Sequence, residues 1–220
     1  MELNVEEANT ISQISKPIIE PIINALIKPQ VGKLNSWLKK KSLDNKVEDN
    51  FWENKFEKYL EDLYKNSAFL TTLVFPNQRT KIKDLYVPLT IIPSDNYKSH
   101  KIDKFDSKLF NKYEKIIISD YAGMGKSTLL KWITVSILEQ NKSIPILVEL
   151  RKIDNENTII DEIFNQLNPI DKSFDKEIVY HLLDLGFFTI LLDGFDEIPF
   201  DIQDKVIIQL RDFIKKTNNN

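Results

Sequence analysis

The run IIISDYAGMGKST at residues 116–128 constrains the fold more than any other part of the chain. An apolar stretch leads into it, two glycines lie in its middle, and a helical pattern follows. A second run, FTILLDGFDE at residues 188–197, is an apolar stretch that ends in an aspartate, a glycine and an acidic pair. The chain has only five glycines, and three of them fall in these two runs. Because glycine serves where backbone bends sharply or approaches a ligand closely, both runs indicate a functional loop.

The window Asp120–Ser127 fits the phosphate-loop pattern G-x-x-x-x-G-K-[ST], except that aspartate occupies its first position. Aspartate tolerates left-handed backbone, so Asp120 can replace glycine if its carboxylate points away from the phosphates. Backbone N–H groups and a helix N-terminus would bind phosphate oxygens, Lys126 the β- and γ-phosphates, and the Ser127 hydroxyl Mg²⁺. A plain strand-to-helix turn is the alternative, but it leaves a lysine cation at a helix start. The predicted nucleotide-binding residues are Ala122, Gly123, Met124, Gly125, Lys126, Ser127 and Thr128.

The second run predicts a strand whose last residue, Asp193, holds Mg²⁺ beside Lys126 and Ser127. Many hydrolytic relatives place a glutamate directly after this aspartate to orient the attacking water. Here a glycine follows, and the acidic pair Asp196 and Glu197 is displaced by two positions. Either carboxylate could polarise water as the catalytic residue, and the spacing does not choose between them. The alternative is that both lie in an exposed loop or at the start of the next helix.

The composition excludes several other classes of protein. With 30 basic and 33 acidic residues the net charge is −3, which argues against a broad nucleic-acid surface, a local patch at Lys39–Lys41 aside. The absence of cysteine rules out disulfides and thiolate metal sites and favours a reducing, cytoplasmic compartment. No apolar run approaches the about 20 residues that span a bilayer, and the polar N-terminus does not resemble a secretory signal. His100 and His181 are interpreted as structural residues.

The first third of the chain reads as helical. Residues 11–28 carry an apolar face, but Pro17 and Pro21 leave open whether they form one bent helix or two short ones. This face fits packing within the domain, and docking of a partner or of a membrane surface are the alternatives. Further helices are predicted at 33–43 and 48–66.

A strand from Tyr86, interrupted by Pro88, is predicted next, and the polar residues 93–109 are the best candidate for a linker or insertion. From residue 115 apolar strands alternate with helices, which indicates an α/β fold with a parallel sheet covered on both faces. The predicted order is a strand at 115–119, a helix from Lys126, a strand from Ile144, two helices, a strand ending near Asp193, and a last helix at 201–216. The first of the two helices is predicted to begin at Thr158, with Asp161 as its capping-box partner, and the second near Ser173.

The segments AGMGKSTLLK, IPILVELR and LLDGFDEI resemble those of the NACHT family of STAND signalling NTPases. The resemblance covers about residues 85–220 and includes a small residue after the magnesium aspartate and an acidic pair two residues later. It implies an incomplete P-loop NTPase sheet with flanking helices at 115–220, a lead-in strand and linker at 81–114, and an α-helical effector or adaptor region at 1–80. It also implies binding of ATP or ADP with Mg²⁺, slow hydrolysis, self-association on activation by an unknown trigger, and, as in similar bacterial members, antiphage defence.

In this family, the strand expected after the last helix lies between the phosphate-loop strand and the magnesium strand. The sequence ends before that strand, so it is expected to be a fragment or to need a partner. A sheet that lacks this strand leaves two edges unpaired. Two other functions remain open. One is a binding module that holds nucleotide without turnover while its helices dock a partner, and the other is an ordinary P-loop enzyme such as a kinase, which the displaced acidic pair disfavours.

Overall fold

A computed structural model describes residues 5–41, 50–71, 79–94, 98–113, 115–154, 156–167 and 176–216. The α-helices are α1 (Val5–Ile22), α2 (Val31–Lys40), α3 (Phe51–Ala68), α4 (Ile82–Leu85), α5 (Ser107–Lys112), α6 (Lys126–Gln140), α7 (Ile159–Leu167), α8 (Lys176–Asp184) and α9 (Phe200–Lys216). The strands are β1 (Phe69–Thr71), β2 (Arg79–Lys81), β3 (Leu89–Ile91), β4 (His100–Ile102), β5 (Ile144–Glu149) and β6 (Phe188–Asp193). The chain is thus a mixed α/β protein that begins with a helical region, as the sequence predicts.

The sheet that organises the C-terminal half is the parallel pair β5 and β6. Its register places Ile144 opposite Phe188 and Glu149 opposite Asp193. Alternate residues of a strand point to opposite faces, so one face contributes to the main core and the other packs under α6. Burial on both faces explains why the two strands are nearly continuous apolar runs.

The N-terminal helices share the core of this sheet. Trp52, Phe56 and Leu60 of α3 are almost completely buried in the same cluster as the strands. The ring centroids of Phe56 and Phe188 lie 6.2 Å apart. The helical region is therefore packed onto the α/β part through a continuous apolar contact.

Side chains cap the edge of β5 that faces away from β6. The Tyr59 hydroxyl of α3 donates to the carbonyl of Pro145 at 2.8 Å, and the Gln166 amide of α7 donates to the carbonyl of Leu147 at 3.0 Å. Residues two apart on a strand direct their carbonyls to the same edge. Since the pairing amide of Ile144 donates toward β6, the capped carbonyls lie on the opposite edge. This satisfies polar groups that a buried edge strand would otherwise leave unpaired.

The segment expected as a linker or insertion contains regular structure. β4 lies within this segment and pairs antiparallel with β3, which precedes it. Residues 107–112, which overlap the end of the segment, form α5. The backbone amide of Phe105 donates to the Ser136 hydroxyl of α6 at 2.7 Å, and the indole of Trp132 donates to the carbonyl of Asp103 at 2.9 Å. The Trp132 ring also stacks on Tyr86 with centroids 4.6 Å apart. This hairpin is consequently fixed to α6, the helix that follows the predicted phosphate loop.

The proline-containing N-terminal pattern forms one continuous helical segment. α1 continues through Pro17 and Pro21, and a wider π-helical turn, Ile23–Ile27, follows directly. A π-turn is one way in which a helix accommodates the hydrogen bonds that proline removes. Within the described part of the chain, no helix is both long and apolar enough to cross a membrane.

The strand predicted at 115–119 does not form in this structure. Residues 116–120 have irregular backbone, and Ile117 is 94% exposed. A strand requires a ladder partner, and in the described residues β6 pairs only with β5. The prediction of a strand at these residues is therefore wrong for this structure.

We expect Phe56→Ala to lower the free energy of unfolding by about 3–5 kcal/mol, because it leaves a cavity between α3 and β6. Its matched control, Phe200→Ala, removes the same ring from a position that is 91% exposed and should change stability by no more than about 0.5 kcal/mol. Urea unfolding followed by circular dichroism and tryptophan fluorescence measures both. If Phe56→Ala unfolded the N-terminal helices alone and left a second transition unchanged, the shared core would be contradicted.

Candidate nucleotide-binding site

The predicted phosphate loop has the backbone of a loop that turns into a helix. Gly123 and Gly125 adopt φ values of 81° and 85°, a left-handed conformation that side chains disfavour. Gly125 is the residue before α6, and no side chain caps this helix start. The first amide groups of an α-helix lack partners within the helix, so these N–H groups are suited to donate hydrogen bonds to an anion.

Lys126 folds back onto this loop. Its ammonium group donates to the carbonyls of Asp120 and Tyr121 at 3.0 and 3.1 Å, and it lies 3.4 Å from a carboxylate oxygen of Asp196. The carboxylate of Asp120 accepts from the backbone amide of Tyr121 at 2.7 Å. The one departure from the loop pattern is thus accommodated by a local hydrogen bond, and the cation lies across the loop that it is predicted to serve.

The remaining loop residues surround this position. Ala122 and Met124 are exposed, and Met124 has 53% of its surface accessible. Thr128 lies in the first turn of α6 and is half-buried. A Cβ added to Gly125 would lie 3.7 Å from the side chain of Leu89, so β3 lies beside the loop. The sequence does not predict this proximity, because the β3–β4 pairing that creates it is not local.

The structure brings together the two predicted magnesium ligands. The Ser127 hydroxyl donates to a carboxylate oxygen of Asp193 at 3.0 Å, although the residues are 66 positions apart. Ser127 belongs to the first turn of α6, and Asp193 is the last residue of β6. The helix packs over this strand through Leu129, Ile133 and Leu191, which fixes the helix start beside the strand end.

The environment of Asp193 fits a divalent cation. Burial raises the pKa of its carboxyl group, and the nearby Glu197 charge raises it further. The contributions that lower this pKa, from the Ser127 hydroxyl and the Gly194 backbone, are hydrogen bonds and not positive charges. A metal ion would supply the missing positive charge. Among the described residues there is no group of three or more His, Asp or Glu side chains that could hold a metal ion.

The acidic pair is divided between two cations. Gly194 adopts φ 76°, and a 3₁₀ turn at Phe195–Glu197 follows it. Asp196 faces Lys126, whereas Glu197 accepts from the guanidinium of Arg151 at 3.1 Å. The structure therefore separates two carboxylates that the sequence could not distinguish.

Arg151 also pairs with Glu149 at the end of β5, which is the register partner of Asp193. Burial alone would raise the pKa of the Glu149 carboxyl group, but the hydrogen bond from Arg151 and the charges of Lys152 and Arg151 together lower it. Sequence analysis did not single out Glu149 or Arg151. The available signal was their place directly at the end of an apolar strand parallel to β6.

Comparison with known proteins agrees with this combination of an α/β fold and a strand-to-helix loop. Residues 114–219 match the family model described as the NACHT domain. The C-terminal part of the chain is therefore a NACHT domain, preceded by an N-terminal region, and a NACHT domain is a STAND-type nucleotide-binding NTPase domain of the P-loop class. Comparisons with curated proteins and with solved structures gave no match.

We expect Gly194→Ala to destabilise the protein by about 1–2 kcal/mol, because a residue with a Cβ atom is sterically strained in the left-handed conformation. The added atom would also contact the Glu197 carboxylate at 3.5 Å. The matched control is Gly32→Ala in α2, where no atom lies within 4 Å of the new Cβ and alanine should stabilise by about 0.5–1 kcal/mol. Chemical denaturation of both variants tests the prediction, and a shift in the same direction for the two would contradict it.

Proposed function

We propose that this protein binds ATP and ADP with Mg²⁺ at residues 120–128 and hydrolyses ATP slowly as a signalling switch. The observation that carries the proposal is the 3.0 Å hydrogen bond between Ser127 and Asp193, which joins the loop to the strand end. Lys126 binds the β- and γ-phosphates in place of its present carbonyl and Asp196 contacts. Backbone amides from Ala122 to Thr128 hold the remaining phosphate oxygens.

Ser127 and Asp193 hold Mg²⁺, which, when bound, neutralises negative charge that develops on the phosphates. The catalytic residues of the proposal are Asp196 and Glu197, one of which orients the attacking water. In the structure Asp196 pairs with Lys126, and phosphate binding would compete for that cation. Glu197 keeps its Arg151 partner whether or not Lys126 moves to phosphate, and its carboxylate lies beside Gly194, so it is the carboxylate that we assign to water.

The family resemblance supports the finer parts of the proposal. ADP keeps the protein closed, and ATP together with a trigger ligand opens it for self-association. A complete reversal of such a switch needs a differential affinity of roughly 10⁴-fold between the two states.

We further propose a role in bacterial antiphage defence. Plaque assays on cells that produce the protein or its Lys126→Ala variant test this role, and equal protection by both would contradict it.

A second candidate is a module that holds nucleotide with little turnover. The observation that favours it is the shared core of α3 and the NACHT domain, which makes the helical region a rigid platform on the nucleotide domain. The two candidates differ in hydrolysis and agree in binding, so turnover separates them.

For binding, we expect Lys126→Ala to weaken Mg²⁺-dependent ATP and ADP affinity by about tenfold to hundredfold, since it removes a charged hydrogen-bond donor. The control, Lys142→Ala, removes an exposed lysine just beyond the end of the same helix and should bind like the wild type. Isothermal titration calorimetry measures the affinities, and circular dichroism confirms equal folding. Equal affinity of folded Lys126→Ala and wild type would refute the phosphate site.

For turnover, we expect the wild type to hydrolyse ATP steadily. Asp193→Ala should lower the hydrolysis rate by about a hundredfold or more, because loss of a metal ligand removes several kcal/mol of transition-state stabilisation. Asp184→Ala, at an exposed helix end, should hydrolyse normally. Phosphate release measures the rate, and light scattering in ATP and in ADP measures self-association. Tight binding without hydrolysis in the wild type would support the holding module over the switch.

A further inference from the structure

The contacts of Arg151 single it out from the other basic residues near the site. One guanidinium nitrogen donates to Glu197 at 3.1 Å, and the other pairs with Glu149. The guanidinium group of Arg151 thus bridges Glu149, at the end of β5, and Glu197, in the 3₁₀ turn after β6. Glu149 and Glu197 lie on different segments of the chain, and Arg151 and Glu197 are 46 positions apart.

This bridge connects Glu197 to the same strand pair that carries Asp193. Glu149 is the register partner of Asp193, so its backbone is fixed relative to the proposed metal ligand. Lys152 lies 3.4 Å from the other Glu149 oxygen but does not pair with Glu197, so it is not part of this bridge. A glutamate side chain on a short exposed turn has several rotamers, and an ion pair with a fixed partner selects among them.

The backbone between Asp193 and Glu197 is held by a 3₁₀ turn, in which the Glu197 amide donates to the Gly194 carbonyl at 3.1 Å, but this bond does not fix the Glu197 side chain. The chain also passes through Gly194 here, whose backbone is the most permissive available. The Glu197 carboxylate lies over this glycine, 3.5 Å from the position that a Cβ would occupy. Arg151 therefore supplies the side-chain contact that this turn needs to hold Glu197 in place.

We propose that Arg151 is a positioning residue for Glu197, which it holds at a fixed place relative to Asp193 so that Glu197 orients the attacking water. The inference rests on the proposed ATPase function and concerns the same site. Arg151 does not touch nucleotide in this role, so it affects the rate of hydrolysis and not nucleotide affinity. It is also not a stability element, because ion pairs between side chains that are 58% and 48% exposed contribute little to folding.

The test is a double-mutant cycle of Arg151→Ala with Glu197→Gln. In the wild-type background we expect Arg151→Ala to lower the hydrolysis rate by about tenfold to hundredfold, as misplacement of a reacting group does. In the Glu197→Gln background the same change should alter the rate by less than about twofold, because residues that act as one unit are not additive. Arg151→Lys keeps the charge but lacks the two guanidinium nitrogens that reach Glu149 and Glu197, so its hydrolysis rate should be intermediate.

Lys152→Ala is the matched control. It removes a cation from the Leu150–Lys152 3₁₀ turn, which also carries Arg151, and Lys152 contacts Glu149 and Glu162 but not Glu197. Its hydrolysis rate and the nucleotide affinity of every variant should match the wild type. Equal rate losses from Arg151→Ala in both backgrounds, no loss, or a gain in rate would each overturn the proposal.

A second readout does not depend on hydrolysis. Hydrogen exchange of the 194–198 backbone amides, without nucleotide, should be about twofold to fivefold faster in Arg151→Ala and unchanged in Lys152→Ala, because loss of the bridge frees the turn. Unchanged exchange in Arg151→Ala would overturn the proposal even if the wild type had no turnover. A wild type that neither binds nor hydrolyses ATP, but shows the exchange effect, would instead refute the proposed function alone.

Discussion

The parallel pairing of β5 with β6 is the interaction on which the rest of the structure depends. Its register places Glu149 and Asp193 side by side at the carboxyl edge of the sheet. The apolar faces of the pair bury α6 on one side and the main core on the other. A slip of one residue would exchange these faces and separate the loop serine from the strand-end aspartate. Site geometry and core packing are therefore set by the same ladder.

Much of this arrangement could be predicted because it is encoded locally. The helix after the phosphate loop was predicted from Lys126, where α6 begins, and the strand ending near Asp193 ends at that residue. Thr158 and Asp161 form the predicted capping box, with each side chain bonded to the backbone amide of the other. These features depend on residues a few positions apart, whose periodicity and capping chemistry can be read directly. The start predicted near Ser173 for the next helix lies outside the described residues.

Other features depend on contacts between distant segments, which no local pattern carries. The polar 93–109 segment looked like a linker, yet β4 finds its partner in β3, and Phe105 bonds to α6. Residues 115–119 show the reverse case, since a strand-like sequence without a ladder partner stays irregular. The choice between Asp196 and Glu197 was also beyond the sequence, because it depends on which cation each carboxylate meets in space.

The packing of the N-terminal helices bears on how a switch in this protein could be coupled. α3 contributes Phe56 to the core under β6 and a Tyr59 hydrogen bond to the edge of β5. A displacement of this strand pair would disturb both contacts, since close-packed interiors transmit strain and do not deform freely. Arg151 follows β5 and bonds to Glu197, so the same strand connects α3 at one edge to the acidic pair at its end. The helical region and the proposed water-orienting group are thus joined through β5.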